Sequence, residues 1–104
     1  MKIIASLTTT PSRIEHIQAT LESIIKQSVL VDAIELNIPN AFERTGETYT
    51  IPIWLLELVK SSKNTQCEVR IFRTDDYGAI TKIAPTILRY IGDNDILIWS
   101  VNEL

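Results

Sequence analysis

The 104-residue chain is 45% hydrophobic and 22% charged, the balance of one globular domain and not of a disordered segment. Its net charge of −3 argues against sequence-independent nucleic-acid binding, which needs a basic face to neutralise phosphates. A single cysteine, Cys67, and a single histidine, His16, exclude an internal disulfide, a cysteine-based zinc site and a multi-histidine metal centre. No stretch approaches the roughly 18 apolar residues of a membrane span. The start Met1-Lys2-Ile3-Ile4-Ala5-Ser6-Leu7 has too short an apolar run for a signal peptide. A soluble, cytoplasmic domain is the expectation.

Residues 3–8 form a short apolar run ending in turn chemistry, as a buried parallel strand does. Ile14, Ile17, Leu21, Ile24 and Ile25 then fall on one face of a 3.6-residue period. Ser12 and Glu15 fit a capping box, so this helix is expected to begin around Arg13 and to end near Gln27 or Ser28. His16 is expected on this helix as an exposed or half-exposed residue. Ala33–Ile38 reads as a second strand stopped by Pro39, and the aperiodic residues 40–50 as a surface loop. Pro52 suits a first helical position, with Ile53, Leu55, Leu56, Leu58 and Val59 forming a short helix. Cys67–Phe72 reads as a third strand, with Cys67 as a small buried apolar residue. Ile80, Ile83, Ala84, Ile87, Leu88 and Ile91 share a helical face, with Pro85 tolerable only in a first turn. After the turn Gly92-Asp93-Asn94-Asp95 comes a fourth strand, Ile96–Val101. The alternation predicts an α/β, Rossmann-like three-layer fold, with four mainly parallel strands and three crossover helices over residues 1–104.

Each strand run ends in a polar cluster. Open parallel sheets bind ligands beyond the carboxyl ends of their strands. Thr8–Arg13 lies between a strand and a helix start, where backbone donors favour an anion and Thr8, Thr10 and Arg13 could hold a phosphate or a base. The same threonines and Ser12 would serve equally as helix caps. Asp75-Asp76-Tyr77-Gly78 offers an acidic pair beside a glycine that permits close backbone approach, and Lys82 adds a point charge for phosphate. The alternative is a solvated turn with a surface lysine. Asn102 and Glu103 end the last strand and could contribute oxygen ligands to Mg²⁺ or Mn²⁺. There is no Walker-type loop, no G-x-G-x-x-G and no nucleophile elbow.

Three segments in order resemble the amino-terminal, donor-binding half of a GT-A-type nucleotide-sugar glycosyltransferase. They are Ile4-Ala5-Ser6-Leu7-Thr8-Thr9-Thr10-Pro11-Ser12-Arg13, Leu36-Asn37-Ile38-Pro39 and Asp75-Asp76-Tyr77-Gly78-Ala79-Ile80-Thr81-Lys82. The resemblance implies that Thr8 and Arg13 lie by the base and ribose of a UDP- or GDP-linked sugar, with Asp76 and Lys82 on the donor nucleotide. It implies a divalent metal, Mn²⁺ or Mg²⁺, held by an Asp-x-Asp pattern after the fourth strand. Here that place reads Asn102-Glu103-Leu104, a degenerate match. The resemblance further implies an acceptor-binding half beyond residue 104. Two functions follow as expectations: a sugar transferase, or a truncated or degenerate domain that binds a nucleotide or serves as an interaction module. A third reading is an unrelated small α/β domain. Ile96, Ile98 and Trp99 are expected to form an apolar, unpaired edge that drives self-association.

Overall fold

The computed structural model describes residues 1–27 and 31–102. In chain order these are β1 (Lys2–Thr8), a 3-10 turn (Ile14–His16), α1 (Gln18–Lys26), β2 (Ala33–Pro39) and α2 (Ile53–Ser62). There follow β3 (Glu68–Thr74), a 3-10 segment (Gly78–Lys82), α3 (Ala84–Arg89) and β4 (Ile96–Ser100). The strands form one sheet in the order β3-β2-β1-β4, parallel at every pairing. The α/β alternation and the parallel sheet expected from the sequence are both present. Among the described residues, no helix is long and apolar enough to cross a membrane.

The two faces of the sheet are covered by different chemistry. Ala5 and Leu7 of β1 and Ile34, Leu36 and Ile38 of β2 point to one face, where Leu21 and Ile24 of α1 and Leu55 of α2 complete an apolar core. The alternate residues Ser6, Glu35 and Asn37 are fully buried on the other face, beneath the segment Gly78–Arg89. A strand buried on both faces is expected to be apolar throughout. β2 is not, and a hydrogen-bonded network answers for it. The Glu35 carboxylate accepts from Arg89 Nε at 3.1 Å, from Arg70 Nη1 at 3.2 Å and from the Tyr90 hydroxyl. Asn37 Nδ2 donates to the Thr81 carbonyl at 3.1 Å and to Thr86 Oγ1 at 3.0 Å, while its Oδ1 accepts from Arg89 Nη2 at 2.6 Å. The Arg89 guanidinium also lies 3.6 Å from the Phe72 ring centroid, a cation–π contact. Among the described residues no buried side-chain polar atom lacks a partner, so the cost of desolvating these groups is offset.

Several local expectations are corrected. The helix expected from Arg13 starts as a 3-10 turn, and regular α1 begins only at Gln18. The backbone N–H groups of Arg13 and Ile14 both bond the Thr10 carbonyl, which winds this entry tightly. No side chain caps the turn, and Ser12 Oγ sits 3.3 Å from Thr10 Oγ1 instead. The apolar stripe nevertheless holds, with Ile14, Ile17, Leu21 and Ile24 buried and His16 exposed. The helix ends at Lys26, and Ser28 lies outside the described residues.

α3 is shorter than its periodicity suggested, and it turns a different side inward. Pro85 sits in its first turn, where no intrahelical N–H is needed. Pro85 and Thr86 are buried against the sheet, with Arg89 partly so, whereas Ile80, Ile87, Leu88 and Ile91 are exposed. The polar sheet face beneath recruits the side of the helix that can hydrogen-bond. Cys67 is half-buried and not fully buried, and it precedes β3. Burial, then the charge of Asp32, pushes its thiol pKa up, so it is a poor nucleophile. The loop 40–50 carries more order than expected: Phe42 and Glu47 form an antiparallel bridge, and Tyr49 is buried.

Candidate functional site

Parallel pairing brings the carboxyl ends of β1, β2 and β4 to one edge, with the segment after β3 folded across it. Thr8 Oγ1 donates to the Asn37 carbonyl at 2.5 Å and so closes the seam between β1 and β2. The chain then turns through Thr9, whose carbonyl accepts the Tyr49 hydroxyl at 2.9 Å, and through Thr10. This turn is the common wall of two clefts.

The first cleft, of about 370 Å³, lies between Thr8–Thr10, Phe42, Tyr49 and Asp76. Asp76 organises it. Its Oδ1 accepts from the Gly78 N–H at 2.8 Å and from Thr81 Oγ1 at 3.4 Å, and its Oδ2 accepts from the Glu43 N–H at 3.0 Å. The Glu43 N–H above all holds this carboxyl below its ordinary value; burial pushes the other way, and the Gly78 N–H and the Thr81 hydroxyl add to the lowering. Gly78 stands at φ +67°, a left-handed conformation that favours glycine. It aims its amide back at Asp76. Three of the roughly four acceptor sites of the carboxylate are thus taken, which leaves one for a ligand donor.

The second cleft, of about 350 Å³, lies between Thr8–Thr10, Arg13, Lys82 and Asn102. Two cations therefore face the threonine turn from its other side. The backbone of Lys82 is fixed from below, because its carbonyl accepts the Ser6 hydroxyl at 2.5 Å. Its ammonium donates to Asn102 Oδ1 at 2.7 Å. Of the expected metal ligands, Glu103 lies outside the described residues, and Asn102 offers no charge while a lysine cation occupies its oxygen. Asn102 by itself thus brings one neutral oxygen, already in contact with an ammonium, to the place where the resemblance implies a metal.

Thr8, Thr10, Arg13, Asp76, Gly78 and Lys82 are all brought to this one edge. Asp75 is not brought into it. It is exposed and borders a separate surface hollow with Arg73, Thr74 and Tyr77. Sequence reasoning missed Phe42, Tyr49 and the Glu43 amide, which reach the site from a segment without periodicity. It also missed Asn37 and Ser6, which anchor the carbonyls of Thr81 and Lys82. A larger hollow of about 560 Å³ between Lys2, Asp32, Arg70 and Asp95 opens at the amino ends of the strands, the edge of a parallel sheet that does not ordinarily bind ligands. No protein-family model, curated protein or solved structure matches the chain.

Proposed function

We propose that the carboxyl edge binds the nucleoside diphosphate portion of a nucleotide sugar, as the GT-A-type resemblance implies. One observation carries the reading: a single threonine turn divides a cleft holding a carboxylate acceptor and an aromatic wall from a cleft holding two cations. That division matches the two chemistries of a nucleoside diphosphate. In this reading Asp76 accepts a hydrogen bond from the nucleoside, Phe42 flanks the ring, and Arg13 and Lys82 attract the phosphates. Thr8 and Thr10 supply hydroxyls at the junction. Gly78 lets the backbone approach closely.

A second reading is favoured by the Lys82–Asn102 contact. A lysine ammonium occupies the oxygen where the resemblance implies a metal, and in this reading the chain binds a nucleotide without metal and acts as a binding module.

Calorimetric titration with UDP and GDP, each with Mn²⁺ and with a chelator, tests both. The expected result is binding of one of the two that chelation leaves unchanged within about twofold. Binding only with Mn²⁺ would contradict the role given to Lys82, and no binding under any condition would contradict the nucleotide reading.

A further inference from the structure

β4 is an outer strand of the sheet, and it lacks the features with which edge strands ordinarily avoid pairing. Its sequence Ile96-Leu97-Ile98-Trp99-Ser100 has no charge and no proline. The opposite edge, β3, carries Glu68, Arg70 and Arg73, the usual protection against edge-to-edge contact. Leu97 and Trp99 remain 50% and 40% exposed. They border an apolar groove of about 450 Å³ with Ile3 and Val31.

The hydrogen bonds of β4 to β1 fix which of its backbone groups face outward. The Lys2 N–H bonds the Asp95 carbonyl, and the Val101 N–H bonds the Ser6 carbonyl. Residues 95, 97, 99 and 101 therefore turn their backbone groups to β1, and Ile96, Ile98 and Ser100 turn theirs away. We infer that β4 pairs antiparallel with β4 of a second copy about a two-fold axis at Ile98, making one continuous sheet. This register alone satisfies every outward group of the strand. Ile98 faces Ile98 of the other copy, and Ile96 faces Ser100 in both directions, about six hydrogen bonds in all.

The side chains agree with that register. Leu97 comes opposite Trp99 of the other copy in the closer, non-hydrogen-bonded type of pair, on the side of the apolar groove. The inference is independent of any nucleotide, and it gives the expected self-association a specific geometry.

Sedimentation equilibrium of the chain tests it. A dimer is expected, and Trp99→Lys should raise its dissociation constant at least about tenfold. Exposed Leu88, on α3, provides the control, since Leu88→Lys should leave the dimer unchanged. Ile98→Pro, which removes an outward backbone N–H at the centre of the seam, should also weaken the dimer, and near-native circular dichroism of the Trp99→Lys chain separates loss of pairing from misfolding. A monomer up to roughly 1 mM would overturn the proposal. So would a dimer that survives Trp99→Lys but is lost in Leu88→Lys.

Discussion

Replacing Glu35 with alanine is expected to destabilise the chain by about 3 kcal/mol, the low end of what breaking a buried charged pair costs. The carboxylate is fully buried at the centre of β2 and receives Arg70, Arg89 and Tyr90 together. Without it, the Arg89 guanidinium is left with only neutral oxygens, those of Asn37 and Thr86, and Arg70 keeps Glu68 as its one carboxylate. The loss stays at the low end because the Arg70 and Arg89 side chains are 39% and 24% exposed and can turn toward water. For a domain of this size, that corresponds to a drop in Tm on the order of 10–20 °C. Glu35→Gln keeps the shape and one acceptor, so it should cost less, about 1–2 kcal/mol. Urea unfolding measures both. A Glu35→Ala loss within about 0.5 kcal/mol, the range of an ordinary surface substitution, would mean that the network does not hold α3 to the sheet.

Asp76→Ala is expected to reduce nucleotide affinity at least about tenfold while costing little stability, since removing a hydrogen-bonded charge from a site typically costs more than 1.4 kcal/mol of binding. The substitution releases the Glu43 amide, the Gly78 amide and the Thr81 hydroxyl at once. The cleft wall formed by Phe42 loses its tie to the segment after β3. The same ties predict a pH dependence. The Asp76 carboxyl is held below its ordinary value of 3.8, so its contribution is complete above that value. It fades as pH falls through the lowered folded value. The Glu43 amide, followed by NMR against pH, should lose its Asp76-bonded shift only at strongly acidic pH. An Asp76→Ala chain with parent affinity would remove this residue from the site.

The sheet was legible because each strand is a short run built around apolar, mostly β-branched or leucine residues and closed by a polar cluster, and helical periods lie between them. That pattern places the carboxyl edge without further information, and six of the seven proposed nucleotide contacts do converge there. Asp75 does not, because a strand end alternates its side chains and only one of two neighbouring aspartates can turn into the cleft. The α3 orientation was not legible. Its apolar residues are periodic, but the face they would need is occupied by Ser6, Glu35 and Asn37 of β1 and β2. Nothing in a local window announces that a polar sheet face will recruit Thr86 and Arg89 instead. Tyr49 and Phe42 were hidden for a related reason: they reach the site through a loop whose order comes from tertiary contacts with Thr9 and Asp76.

The central claim is that the carboxyl edge of this sheet is a nucleotide site, and amide chemical-shift mapping with UDP and GDP tests it most directly. The account predicts shifts concentrated at Thr8–Thr10, Arg13, Glu43 and Asp76–Lys82, with Lys2, Asp32 and Asp95 at the opposite edge undisturbed. Shifts gathered instead around Lys2, Asp32 and Arg70, or no shifts at saturating nucleotide, would contradict it.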